Sequence, residues 1–177
     1  MNLWKECKGL QDYIVGIRRA LHQIPELGTD LPKTQAAICA ELDKLGISYK
    51  KNQGDSGLIG TIHGGKPGKT ILLRADIDAL PIKEDTGLPF ASKHEGRMHA
   101  CGHDMHTTAL LGLCQILNES RDHWQGTFIA LFQPAEETAS GAAAMVADGL
   151  TSRIPMPDVC FGQHIVAGQA GKIMSMP

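Results

Sequence analysis

Residues 127–137 read TFIALFQPAEE, an apolar run of strand length that turns polar abruptly at its end. No helical spacing of three or four interrupts the run, and its aromatic and β-branched residues suit a strand buried on both faces. Two other stretches share this design: residues 70–76, TILLRAD, and 159–164, VCFGQH, are apolar and then close on Asp76 and His164. Such strands belong to a mixed, mostly parallel sheet sandwiched by helices, and in open α/β sheets ligands bind beyond the carboxyl ends of the strands. The expected fold class is therefore α/β, with Asp76, Asp78, Glu136, Glu137 and His164 delivered to one rim.

The flanking segments fit that architecture. Leu10, Ile14, Ile17 and Leu21 recur at three and four residues, which predicts one amphipathic helix from Trp4 to Ile24, closed by Pro25. A second helix opens at Pro32, carries Ile38, Leu42 and Leu45 as its stripe, and stops at Gly46. Residues 47–51, ISYKK, and 58–64, LIGTIHG, read as short strands, with GGKPG at 64–68 as a hairpin turn. Asp76 to Ala100, with Pro81 and Pro89, reads as a long irregular connection of the kind that lines sites. Helical spacing resumes from Asp104 to Asn118, with Asp104 or Thr107 as N-cap, and Ser140–Gly149 is a short Ala-rich helix.

Composition narrows the class of function. The chain has 177 residues, is 42% hydrophobic and 20% charged, and carries a formal charge of -2, so nothing draws it to nucleic acid or to an anionic membrane. Charges run through residues 1–23 and no stretch approaches the ~20 apolar residues of a membrane span, which points to the cytoplasm. Five cysteines is an odd count at scattered spacing, so free thiols are expected. Cys7, Cys39, Cys114 and Cys160 read as small buried hydrophobes, and Cys101 alone has polar company.

That company is residues 98–106, MHACGHDMH, which put three histidines, a cysteine and an aspartate at the entry of a helix. Thiolate, imidazole and carboxylate are the usual protein ligands of zinc and its neighbours, and Cys101, His103, Glu137 and His164 supply that set. The spacing Cys-Gly-His alone is weak evidence; its force comes from convergence with the strand ends. Beside a helix N-terminus and a divalent cation Cys101 is expected to be a thiolate, able to bridge two ions. The pair Glu136-Glu137 suggests a division of labour, in which one carboxylate binds metal and the other takes a proton from a metal-activated water and passes it to a leaving amine.

Four longer stretches make a resemblance specific. Residues 72–92 (LLRADIDALPIKEDTGLPFAS), 98–112 (MHACGHDMHTTALLG), 131–137 (LFQPAEE) and 161–164 (FGQH) are similar, in order, to the M20 family of metallopeptidases and amidohydrolases. The similar branch contains aminoacylases, hippurate hydrolases, auxin-conjugate hydrolases and N-acetyldiaminopimelate deacetylases. The resemblance implies a zinc-peptidase-like catalytic domain with two divalent ions (Zn, Mn, Co or Ni) on Cys101, His103, Glu137 and His164. It implies Glu136 as general base, and Asp76 and Asp78 as supports behind the ligands. The implied substrate is a small N-acylated amino acid or a dipeptide. Family members continue beyond a segment like GKIMSMP at 171–177 into a lid or dimerisation domain and then complete the catalytic domain. Residues 1–177 therefore correspond to an N-terminal portion, and the full-length protein is expected as a homodimer.

Three other readings compete. A dipeptidase or carboxypeptidase would use the same site. A thiol hydrolase would use Cys101 as nucleophile with a nearby histidine, leaving the Glu-Glu pair and His164 without a role. A non-catalytic metal-binding domain would expose an apolar face. His99 is expected to coordinate or to cover the site, and His106 to hydrogen-bond locally in the first helical turn. His22, His63, His94 and His123 are expected in surface or structural roles.

Overall fold

The computed structural model describes residues 3–175. Its elements are helices α1 (Leu3–Gly9), α2 (Gln11–His22) and α3 (Pro32–Lys44), strands β1 (Ser48–Lys51), β2 (Leu58–His63) and β3 (Lys66–Asp76), helix α4 (His103–Glu119), strand β4 (Gln125–Gln133), helices α5 (Gly141–Ala147) and α6 (Leu150–Arg153), and strand β5 (Val159–Gly162). The expected single first helix is two, which meet at Leu10. The second ends at His22, ahead of Pro25.

The five strands form one sheet in the order β1-β2-β4-β3-β5. It is mixed: β4 and β5 run parallel to β3, while β1 pairs antiparallel with β2 and β2 with β4. GGKPG is thus not a hairpin turn, because β4 lies between β2 and β3. β4 returns from the α4 crossover into that central slot, where its apolar run has a partner on each side.

Alternation along β4 builds two cores. Phe128, Ala130 and Phe132 face one way, against Ile38 and Leu42 of α3 and Leu110, Leu111 and Cys114 of α4. Ile129 and Leu131 face the other way, against Met145 and Leu150. Burial of large apolar side chains on both faces, at roughly 25 cal/mol per Å², holds the helices to the sheet. α3 lacks a side-chain N-cap of its own; buried Glu26 gives one carboxylate oxygen each to the Lys33 and Thr34 N–H groups. Gly46, at φ 63°, closes the same helix as its left-handed terminus.

Expectations fail at the free edge. Val159 to Gly162 read as a strand buried on both faces, yet all of β5 is exposed, since it lies at the sheet edge and pairs on one side only among the described residues. Cys160 is exposed with it and Cys7 is exposed on α1, whereas Cys39 and Cys114 are buried; all five thiols are unpaired. No helix among the described residues is long and apolar enough to cross a membrane.

Candidate active site

Strand register sets the rim. Asp76 at the end of β3 lies opposite Gln133 at the end of β4, and Arg74 opposite Gly162 at the end of β5. Each chain then leaves the sheet at the same level, so Asp78, Glu136, Glu137 and His164 follow the strand ends. α4 points its N-terminus there, because Gly102 at φ 89° turns the backbone into the helix and puts His103 at its first position. Neither Asp104 nor Thr107 is the N-cap. Asp104 lies in the first turn, where its Oδ1 accepts the Met105 N–H, and the Thr107 hydroxyl donates to the Asp76 carbonyl.

The donors fall into three overlapping groups that share His103: Cys101 with His103 and His164, His103 with Glu136 and Glu137, and Asp76 with His103 and His106. In each, the candidate ligand atoms lie within 4.8 Å of one another. The four expected ligands are divided between the first two groups, and His99 is in none.

Two histidines are oriented alike. His103 directs Nδ1 at the Asp78 carbonyl, 2.9 Å away, and its buried Nε2 has no hydrogen-bond partner. His164 directs Nδ1 at the Ile165 carbonyl, 2.5 Å away, and its Nε2 stands 3.3 Å from Cys101 Sγ. A carbonyl can only accept, so Nδ1 carries a proton in both rings; Nε2 of His103 is left without a partner, and Nε2 of His164 is left facing the Cys101 thiol. Both rings therefore present metal-competent atoms whose orientation is fixed from behind, as in known histidine metal sites.

The carboxylates come from a tight turn. Ala135 and Ala139 have φ 51° and 53°, in the left-handed region that side chains disfavour, and they bracket Glu136 and Glu137. The Ala135 carbonyl accepts the N–H groups of Ser140 and Gly141, and Asp78 Oδ2 accepts the Glu137 N–H at 3.1 Å. So held, Glu136 Oε2 and Glu137 Oε1 each lie 3.7 Å from His103 Nε2. Glu137 Oε1 is buried without a partner, while the Glu136 side chain is 39% exposed and open to a substrate. An unpartnered imidazole nitrogen, a second imidazole nitrogen beside a thiol, and an unpartnered buried carboxylate oxygen are a donor set that suits zinc, manganese, cobalt or nickel.

Charges bias this site strongly. Burial and then the charges of Glu137 and Glu136 push the Cys101 thiol up to about 11, so the expected thiolate needs a cation to form. The same carboxylates oppose Cys101 as an activated nucleophile, although an imidazole lies beside it. Burial lowers the proton affinity of His103, but the Asp78 hydrogen bond and the Asp76 charge outweigh it and the net shift is upward.

Asp76 also differs from a simple backing carboxylate. Its Oδ2 pairs with Arg74 Nη1 at 2.6 Å, its Oδ1 with His106 Nδ1 at 2.6 Å, and Arg74 Nε donates to Gln133 Oε1. His106 thus does not bond locally: it reaches 30 residues back to Asp76. Arg74 joins the site because positions i and i+2 of a strand share a face, and it lies two residues before Asp76 on β3. His99 is buried with both nitrogens unpartnered, and burial lowers it to about 4. His22 is buried too, against Asp104 and Glu84.

The model of Peptidase family M20/M25/M40 matches residues 72–174. The chain is 48% identical over 155 residues to the N-acetyl-L-cysteine deacetylase of Bacillus subtilis (strain 168), covering 88% of this chain and 36% of that protein. It is 45% identical over 154 residues to the Arabidopsis thaliana IAA-amino acid hydrolase ILR1-like 5, covering 87% of this chain and 34% of the other. Among solved structures, the Bacillus subtilis YXEP protein, a dinuclear metal binding peptidase from the M20 family, superposes with a TM-score of 0.82 at 40% identity, covering 89% of this chain and 44% of that one. The chain thus spans well under half the length of these relatives. The family model covers more than half of the chain, and the chain belongs to Peptidase family M20/M25/M40.

Proposed function

We propose that this chain carries the metal-binding half-site of an amidohydrolase that cleaves the amide bond of a small N-acylated amino acid. Cys101, His103, Glu137 and His164 would hold two divalent ions, of zinc, manganese, cobalt or nickel. The observation that carries this reading is the convergence of the bare His103 Nε2, the His164 Nε2 and Cys101 Sγ, with both opposite ring nitrogens tied to backbone carbonyls. When bound, such ions polarise an amide carbonyl and acidify water.

The remaining chemistry belongs to the side chains. Glu136, half-exposed at the turn, takes the proton of the attacking water and returns it to the departing amine, so that the carboxylate is restored at the end of the cycle. Asp78 holds His103 through its carbonyl and Glu137 through its carboxylate. Arg74 keeps Asp76 ionised behind them, and the Asp76 carboxyl is held below the ordinary range: burial opposes this, but the His106 hydrogen bond and the nearby cations prevail.

Support for acylated amino acids comes from the relatives named for N-acetyl-L-cysteine and for IAA-amino acids. The structural neighbour's description as a peptidase keeps a dipeptide or carboxypeptidase substrate as the second reading. In the full-length protein the substrate would be closed in by further chain, which would also form a homodimer. The unpaired thiols favour a reducing cytoplasm.

The test is elemental analysis after reconstitution with zinc or manganese, for the wild type and for Glu137→Ala and Cys101→Ser. Close to two ions per chain, reduced in both variants, is the expected result. Zero ions, or a content indifferent to both substitutions, overturns the assignment.

A further inference from the structure

His106 lies within reach of the same group of donors, yet both of its ring nitrogens are already engaged. Nδ1 is 2.6 Å from Asp76 Oδ1, and Nε2 accepts the backbone N–H of Ile165 at 2.9 Å. An N–H group can only donate, so Nε2 carries no proton and Nδ1 carries one. The ring is 1% exposed and lies between α4 and the segment that follows β5. No lone pair is left for an ion.

We propose that His106 is a positioning residue: as the Nδ1–H imidazole, oriented by Asp76, it grips Ile165 N–H and thereby fixes the adjacent His164 against Cys101. The inference deepens the metal-site reading above and rests on it. β5 is exposed at the sheet edge and leaves His164 on a segment with little packing of its own. Backbone and side-chain contacts tie that segment to the start of α4. Among them are the His106–Ile165 hydrogen bond and the Ile165 side chain, which packs on Gly102 so closely that a Cβ there would collide with it. The His106 and His164 rings meet edge-on, with centroids 4.7 Å apart, so the same imidazole also limits rotation of His164. Asp76 is suited to orient the ring, since its Oδ2 pairs with Arg74 and its Oδ1 is left to accept the His106 Nδ1–H.

The test uses the full chain with zinc and cobalt as probes, and three variants. His106→Asn retains a donor toward Asp76 and loses the acceptor for Ile165. His106→Gln retains an acceptor near Nε2, and His106→Phe keeps the ring shape and loses both bonds. Amide exchange at Ile165 in the metal-free protein should quicken about tenfold in Asn and Phe and return toward wild type in Gln, while β4 amides stay protected in all three. Metal affinity by chelator competition should fall about 10–100-fold in Asn and Phe, with partial rescue in Gln. The imidazole ¹⁵N spectrum of the wild type should show Nδ1–H with Nε2 unprotonated, unchanged on adding zinc. Protection of Ile165 that is insensitive to position 106 overturns the proposal, as does a His106 Nε2 resonance that shifts as a ligand on zinc addition. A wild type that takes up no ion fails differently: it removes the metal-site reading itself, whatever the Ile165 exchange shows.

Discussion

His22 Nδ1 stands 2.7 Å from Asp104 Oδ2, joining the last turn of α2 to the first turn of α4 across 82 residues of sequence. Arg18 Nε shares the same carboxylate oxygen at 3.0 Å, and Glu84 Oε1 lies 3.3 Å from His22 Nε2. The rings of His99 and Phe90 complete the surroundings of His22. Asp104 follows directly on His103, so this ion cluster anchors the helix end that carries the candidate ligand.

The cluster gives stability a pH dependence with a definite sign. The Asp104 hydrogen bond raises the pKa of His22 against the opposing effect of burial. Its contribution is therefore complete below its unfolded value of about 6.5 and is lost as pH rises through the raised folded value. Asp104 is depressed: burial opposes this, but the His22 hydrogen bond and nearby cations prevail, so its contribution is lost only in strong acid. His22→Gln should cost most near pH 5 to 6 and less at pH 9, while Asp104→Asn, which strands Arg18 and leaves His22 only Glu84, should cost about 3 kcal/mol at pH 6. Urea denaturation across that range measures it, and a His22→Gln deficit that stays constant from pH 5 to 9 would refute the argument.

Glu136 and Glu137 are neighbours in sequence with different surroundings, and their variants should separate accordingly. Glu136→Gln preserves shape and removes the proposed base, so on the amidohydrolase reading turnover of an N-acetyl amino acid should fall about 10²–10⁴-fold with ion content unchanged. Glu137→Ala should lower both together. Equal loss of metal in the two variants would mean that the exposed carboxylate is also a ligand.

Two phenylalanines show where the sequence stops being informative. Phe132 and Phe161 both sit in apolar strand-like runs, yet Phe132 is 0% exposed in the central strand and Phe161 is 53% exposed at the edge. Urea midpoints should give about 3 to 5 kcal/mol for Phe132→Ala and within about 0.5 kcal/mol for Phe161→Ala. Hydrophobic runs mark strands, and the order of strands decides which are covered. That order was not legible, because whether β4 slots between β2 and β3 depends on long-range pairing that no local turn signal encodes.

The site shows the same division. That Cys101, His103, Glu137 and His164 gather beyond the strand ends was readable, since it depends on residue identity and on where an apolar run stops. The link from His106 to Asp76 and Ile165 was not, because it joins three elements through a buried imidazole whose sequence neighbours give no hint of its partners. Nor was the His22 cluster, for helix α2 meets α4 only after the chain has passed through the sheet.

Gly102 and Gly87 separate backbone strain from crowding. Both have positive φ, 89° and 66°, but a Cβ at Gly87 meets nothing within 4 Å, whereas one at Gly102 meets the Ile165 side chain. Alanine in the left-handed region costs roughly 1 to 2 kcal/mol, and overpacking adds about 1 to 3 kcal/mol more. Gly87→Ala should therefore lose only the first amount in a thermal or urea melt, with the metal content intact. Gly102→Ala should lose both and should also weaken metal binding, because the crowded Ile165 side chain is the immediate neighbour of His164 in sequence. Equal destabilisation in the two variants with unaltered metal affinity would mean that the segment after β5 moves freely, and that its contact with the start of α4 does not hold His164 in place.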